Sequence, residues 1–189
     1  SNFEDQPRLL SRRLGMRLAY GAALDLDPPA PGRPRRKFGN AILSRFPIVS
    51  RKNVLLPRTA NVEQRALLRA RIDLGNRQVN AYVTHLEARD AGQRALQAGA
   101  VAAAIATDSG SRLLCADLNA EPTRPEVMAL VAVLKDAWSA GTGTGFTFPA
   151  NTPRRRIDVV LHSADLVAVE AFVPKSDASD HRPLSVLFA

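Results

Sequence analysis

"LLCADLNAEP", residues 113–122, begins as an apolar run and then stops on oxygen-bearing side chains. A short apolar run closed by polar residues and a proline reads as a buried strand. Side chains alternate between faces along a strand, so Asp117 and Asn119, two apart, are expected to project together from its end. A carboxylate and a carboxamide held side by side suit a metal-bound phosphate. Asp and Asn also open loops by hydrogen-bonding nearby backbone, and taken alone the stretch favours that plainer reading. The surrounding chain has to decide between the two.

Just before this strand, residues 90–107 give the strongest helical pattern, with Gln93 and Gln97 on one side and an alanine-rich inner face. Just after it, a second helix is expected over residues 126–134, starting behind Pro125, which suits a first helical turn. Further upstream, residues 16–24, 39–44, 48–55, 65–74 and 77–84 read as strands, the last two joined as a hairpin across Gly75 and Asn76. A short helix over residues 3–14 ends at Gly15. Downstream, residues 157–161, 166–173 and 184–188 complete the strands. Two segments read as loops. "DLDPPAPGRPRRK", residues 25–37, carries four prolines and a basic run, and "SAGTGTGFTFPANTPRRR", residues 139–156, is rich in glycine, threonine and arginine and well placed to cover a site. Many short strands with few helices point to packed sheets carrying helices outside, an α+β architecture.

The 189 residues suffice for one domain with a real core. With 46% hydrophobic and 23% charged residues, the chain reads as globular rather than disordered. Its net charge of +8 is carried almost wholly by arginine, the lysines being Lys37, Lys52, Lys135 and Lys175. That balance suits a polyanionic or phosphate-bearing ligand. An arginine- and alanine-rich codon bias would give the same count. Cys115 is the single cysteine, so an intrachain disulfide and a cysteine-rich zinc site are both excluded, and it is expected to be a small core residue. The longest apolar run, residues 98–106, is too short to span a membrane. Localisation stays open: a chain so poor in cysteine suits the cytoplasm without excluding export.

Three further motifs bring titratable groups to strand ends, where loops gather. "YVTHLEA" places His85 at the end of a strand, "RRRIDVVLHS" places Asp158 in another, and "SDHRPLSV" sets Asp180 and His181 just before the last. Each has a plainer explanation. His85 alone would be a satisfied core histidine, Asp158 could pair with Arg154, Arg155 or Arg156, and His162 is read as structural. Ser179 beside His181 has no G-x-S-x-G elbow around it, which argues against a serine hydrolase.

Taken in order, "FGNAILSRFPI", "VTHLEA", "LLCADLNAEP", "RIDVVL" and "SDHRPL" resemble the endonuclease/exonuclease/phosphatase superfamily of metal-dependent phosphoesterases, from Phe38 to the end of the chain. The resemblance implies a four-layer α/β/β/α sandwich of two mixed sheets and hydrolysis of a phosphodiester or phosphomonoester by metal-activated water, with Mg²⁺ or Mn²⁺ as cofactor. It assigns Asp117 to the attacking water, Asn119 to a phosphoryl oxygen, and His181 to the phosphate or to acid–base transfer with Asp158 fixing its tautomer. It makes Asp180 a metal carboxylate and gives His85 a phosphate oxygen or the leaving group, with Asn40 orienting His85 or meeting substrate. The alternative from a different class is a non-catalytic phosphate or nucleic-acid binding module.

Family members open with a strand bearing an asparagine and a second ending in a metal-ligand glutamate. "SNFEDQPRLLSRRLGM" resembles the helix that follows that glutamate, and Glu4, Asp5 and Glu63 do not match its motif. The expectation is therefore a single domain over residues 1–189, missing its first two strands, with a weakened metal site. An open edge should follow, covered by a homodimer or by strand exchange.

Overall fold

The computed structural model describes residues 4–189. Phe3, where the first helix was expected to begin, lies outside them. Helix α1 spans Gln6–Leu14. The Asp5 carboxylate caps it by accepting from the Arg8 N–H at 3.2 Å, and Gly15 closes it at φ 62°, a conformation that favours glycine.

Strands β1 (Arg17–Leu26) and β2 (Arg36–Ser44) form an antiparallel pair running from Arg17 opposite Ser44 to Leu26 opposite Arg36. The pair needs glycine at position 39, where a β-carbon would fall 2.0 Å from the Gly21 carbonyl oxygen. The proline-rich loop joining the two strands is tied down at its base, because Arg35 donates to Asp25 and to Asp27 at 2.7 Å each.

The main sheet has six strands: β3 (Ile48–Leu55), β4 (Ala66–Asp73), β5 (Gln78–His85), β6 (Ser111–Asp117), β7 (Lys135–Asp136) and β8 (Asp158–His162). Their order is β3-β4-β5-β6-β8-β7, with only β5 and β6 parallel. A parallel pair needs a crossover, and helix α2 (Ala91–Ala106) supplies it. Asp90 caps α2 by accepting from the Gln93 N–H at 3.0 Å. A single 3₁₀ turn, Pro125–Val127, leads into the short helix α3, Met128–Val131.

These helices cover one face of the sheet. There Leu86, Val101, Ile105, Leu114, Leu118, Leu130 and Leu161 are buried in one cluster. Each such side chain contributes about 1.5–3 kcal/mol on burial, so this face carries most of the hydrophobic stabilisation. The β1–β2 pair packs on the opposite face over β3, β4 and β5, around Ala19, Leu68 and Ala70. A second antiparallel pair, β9 (Ala168–Phe172) and β10 (Ser185–Phe188), sits at the other end, where the Phe188 ring lies 5.3 Å from that of His162. The architecture is thus the expected α+β arrangement of packed sheets with helices outside, its second layer made of two separate strand pairs.

Several details differ from the sequence reading. Cys115 is exposed rather than in the core, because β6 lies between the strands that the two pairs cover. The second helix is a 3₁₀ turn plus four residues instead of residues 126–134. Strand β7 and the 3₁₀ turn Ala137–Ala140 were not anticipated, since segments so short carry no periodicity. Both glutamines of α2 are buried. Gln97 accepts from the Glu87 N–H at 2.8 Å, and Gln93 donates to the Pro57 carbonyl at 2.6 Å.

Candidate active site

His85, Asp117 and Asp158 form a row across three strands, since the register sets His85 opposite Asp117 and Asp117 opposite Asp158. Strand alternation decides their face. Tyr82, Leu114, Ala116, Val159 and Leu161 pack toward the helices, so the odd positions 85 and 117 and the even position 158 project from the other side. His181, in the loop before β10, joins them: its Nδ1 lies 2.8 Å from Asp158 Oδ2. His85 Nε2 lies 3.4 Å from Asp117 Oδ2. Asp117, Asp158 and His181 each offer a ligand atom, and these atoms lie within 4.8 Å of one another.

Asn119 is placed differently from the expectation. Strand β6 stops at Asp117, and Asn119 takes φ 51°, so it does not continue the alternation. Its backbone N–H donates to Asp117 Oδ1 at 2.9 Å and its Nδ2 donates to the Leu86 carbonyl at 3.0 Å. One carboxamide hydrogen is thereby used to hold the loop after His85, leaving the second for a ligand. Helix α2 holds that same loop, because Arg94 Nη1 donates to the Glu87 carbonyl at 2.8 Å.

The group touching His85 was not read from the sequence. Arg65 Nη1 lies 3.1 Å from His85 Nδ1. A guanidinium only donates, so Nδ1 accepts and the ring proton sits on Nε2, facing Asp117. Asn40, the expected orienter, instead donates its Nδ2 to the Ala66 carbonyl at 2.8 Å. The signal for Arg65 was its place one residue before β4, whose register sets Leu67 opposite Thr84 and so brings the strand start beside His85. Asp180 also stands apart from the cluster. It is exposed, and its Oδ1 accepts from the Ser179 hydroxyl at 3.1 Å. Arg156 pairs with Asp136 at 2.7 Å, which leaves Asp158 to His181. His162 is buried, with Nδ1 2.9 Å from the Ser163 carbonyl oxygen.

The two imidazoles are driven in opposite directions. Burial, reinforced by the Arg65 charge, lowers His85 below the usual histidine value. For His181, burial also opposes the charge, but the Asp158 hydrogen bond and the carboxylates of Asp158, Asp117 and Asp180 outweigh it and raise the value. Burial raises Asp117 above the usual carboxylate range, with the neighbouring Asp158 charge adding to it. The site therefore offers a neutral N–H donor at His85, a ring at His181 whose protonated form is favoured by its carboxylate neighbours, and between them a carboxylate of increased basicity.

Because Arg65 is a cause of the lowered His85 value, Arg65→Met is expected to raise the His85 midpoint. The same change should release its fixed tautomer. Imidazole ¹⁵N shifts across a pH titration measure both, and an unmoved midpoint would mean that burial alone sets it.

The donor chemistry fits a hard divalent cation. Two carboxylates, Asp117 and Asp158, present oxygens from neighbouring strand ends, and such ions take oxygens and fill remaining positions with water.

An α+β domain of packed sheets that gathers carboxylates and imidazoles at the ends of neighbouring strands has the makings of a hydrolytic centre. The sequence matches the model of the endonuclease/exonuclease/phosphatase family over residues 3–181, and the chain belongs to that family of phosphoester hydrolases. In structure it is similar to a mannosyl-6-phosphatase of Bacteroides thetaiotaomicron VPI-5482, with 18% identity and a TM-score of 0.82 over 97% of this chain and 81% of the other. It is also similar to an endonuclease/exonuclease/phosphatase from Beutenbergia cavernae, with 25% identity and a TM-score of 0.80 over 96% of this chain and 56% of that one. A third likeness is to the human Nocturnin catalytic domain with bound sulfate, with 20% identity and a TM-score of 0.71 over 98% and 77%. A search of the curated proteins finds no match. No helix among the described residues is long and apolar enough to cross a membrane.

Proposed function

We propose that this chain hydrolyses a phosphodiester or phosphomonoester with water as nucleophile and Mg²⁺ or Mn²⁺ as cofactor. The observation that carries the reading is the row His85–Asp117–Asp158 with His181 closing it, four acid and imidazole groups brought to neighbouring strand ends. A hard cation held by Asp117 and Asp158 would shield the phosphate oxygens and make the bound water more acidic.

The remaining work falls to the side chains. Asp117, facing His85 at the end of β6, takes the proton of the attacking water as its oxygen bonds to phosphorus. The neutral Nε2–H of His85 and the free carboxamide hydrogen of Asn119 donate to phosphoryl oxygens, where negative charge grows. His181, whose protonated form Asp158 favours, gives its proton to the departing ester oxygen as the P–O bond breaks. Asp180, outside the cluster, contributes by its charge rather than by contact.

Release of p-nitrophenol from bis(p-nitrophenyl) phosphate, with Mg²⁺ or Mn²⁺ and with chelator, tests the reading. Metal-dependent turnover is expected. Salt-sensitive binding to DNA without any turnover would instead identify a binding module, for which the +8 net charge is the favouring observation.

The exposed floor of β6 at Cys115 predicts self-association through the uncovered part of the sheet. Light scattering over a concentration series is expected to show dimer, and a strictly monomeric species rules this out.

A further inference from the structure

We propose that the cavity beside Asn119 is a subsite for a second phosphate group of the substrate, an inference that rests on the phosphoesterase reading of the adjoining centre. The cavity holds about 340 Å³ and is lined by Arg94, Asn119, Glu121, Arg124, Glu126 and Arg155, with Ala120 between. It therefore shares Asn119 with the reaction centre, and Asn119 is joined to Asp117 by a 2.9 Å hydrogen bond.

The charges in this cavity are not equivalent. Arg94 is a buried wall. Its side chain is 9% exposed, its Nη1 donates to the Glu87 carbonyl at 2.8 Å and its Nη2 to Glu126 Oε1 at 3.0 Å. The Arg94 Nε is buried without a hydrogen-bond partner. These contacts fix the loop after His85 and the loop after Asn119 to one helix, so the cavity is held open before any ligand arrives. Glu126 is thereby neutralised by Arg94, and Arg124 reaches the same carboxylate only at 3.7 Å while its side chain is 62% exposed.

Arg155 is the cation between cavity and centre. Its Nη2 donates to the Asn119 carbonyl at 3.3 Å, and among the described residues it has no carboxylate partner. Its backbone pairs with Phe148, donating to the Phe148 carbonyl at 3.0 Å, and the Phe148 ring lies 4.8 Å from that of His181. The arginine-rich loop is thus pinned so that one guanidinium faces the cavity. Glu121 also lines it, so three guanidiniums stand against two carboxylates, an excess of one positive charge with forked donors. Such donors match the oxygens of a phosphate better than those of a neutral hydroxyl. A substrate with one phosphate fills the centre only, whereas a bisphosphate fills both.

Calorimetric titration with adenosine 5′-monophosphate and adenosine 3′,5′-bisphosphate at fixed free Mg²⁺ tests this without requiring turnover. The bisphosphate is expected to bind about tenfold or more tightly, the gain typical of one added charge-assisted contact. Arg124→Gln and Arg155→Gln should each bring that ratio toward one, and Arg13→Ala, which removes an exposed charge on α1, should leave it unchanged. A wild-type ratio near one, a ratio indifferent to both substitutions, or an equal fall in Arg13→Ala would overturn the subsite. Retained bisphosphate preference with no hydrolysis of bis(p-nitrophenyl) phosphate would reject the esterase reading alone.

Discussion

Asp117→Asn is expected to lower kcat for bis(p-nitrophenyl) phosphate by about a thousandfold, within the range that loss of a general base produces. The substitution keeps the side-chain volume and an oxygen that can accept from the Asn119 N–H, so the loop geometry should survive. What disappears is the basic oxygen facing His85 Nε2 and one carboxylate of the cation-binding pair. Stability should move the other way. Burial raises the Asp117 value, so the folded state prefers the protonated form and ionisation works against folding. That penalty is absent below the unfolded value of about 3.9, grows as pH rises from there to the raised folded value, and is complete above it. Asp117→Asn should therefore melt at or above the wild-type temperature near pH 7, the advantage shrinking toward pH 4. Steady-state kinetics paired with thermal melts measure both. A less than tenfold fall in kcat would show that Asp117 is not the base.

Asp158→Asn is expected to cost about a hundredfold in kcat and to move the alkaline limb of the kcat/KM profile to lower pH. Burial opposes the charge on His181, and the Asp158 hydrogen bond and charge are what overcome it. Without them the ring loses its proton at lower pH. His181→Ala should lose that limb altogether, so the pair of variants separates proton transfer from mere positioning. A matching stability effect follows from linkage. The folded-state value of His181 is raised, so the pair's contribution is complete below the unfolded value of about 6.5 while Asp158 stays ionised, and it is lost as pH rises through the folded value. Melting curves of wild type and Asp158→Asn should accordingly converge on the alkaline side. An alkaline limb unmoved by the substitution would remove His181 from the role of acid.

Much of the fold was legible because local signals agreed with one another. Residues 48–55 coincide with β3, and the helix expected over 90–107 forms as Ala91–Ala106 between Asp90 and Thr107. The second helix was overextended because apolar spacing past Met128 continues after the hydrogen-bonded turns have ended. Cys115 was misplaced for another reason. Its apolar neighbours imply two buried faces, whereas only one face of β6 is covered. Burial of a strand face depends on which other elements reach it.

For the candidate site, the sequence alone supplied the chemically able groups: His85, Asp117, Asn119, Asp158 and His181, each at or near a strand end. It also supplied the order in which they occur. Only the tertiary structure decided that parallel pairing of β5 with β6 and antiparallel pairing of β6 with β8 line up His85, Asp117 and Asp158, that Asp180 stands outside, and that Arg65 rather than Asn40 fixes His85. The reason is physical. Residue type and periodicity fix what a side chain can do and which face of its own element it occupies, while its protonation and partners depend on contacts between residues far apart in the chain.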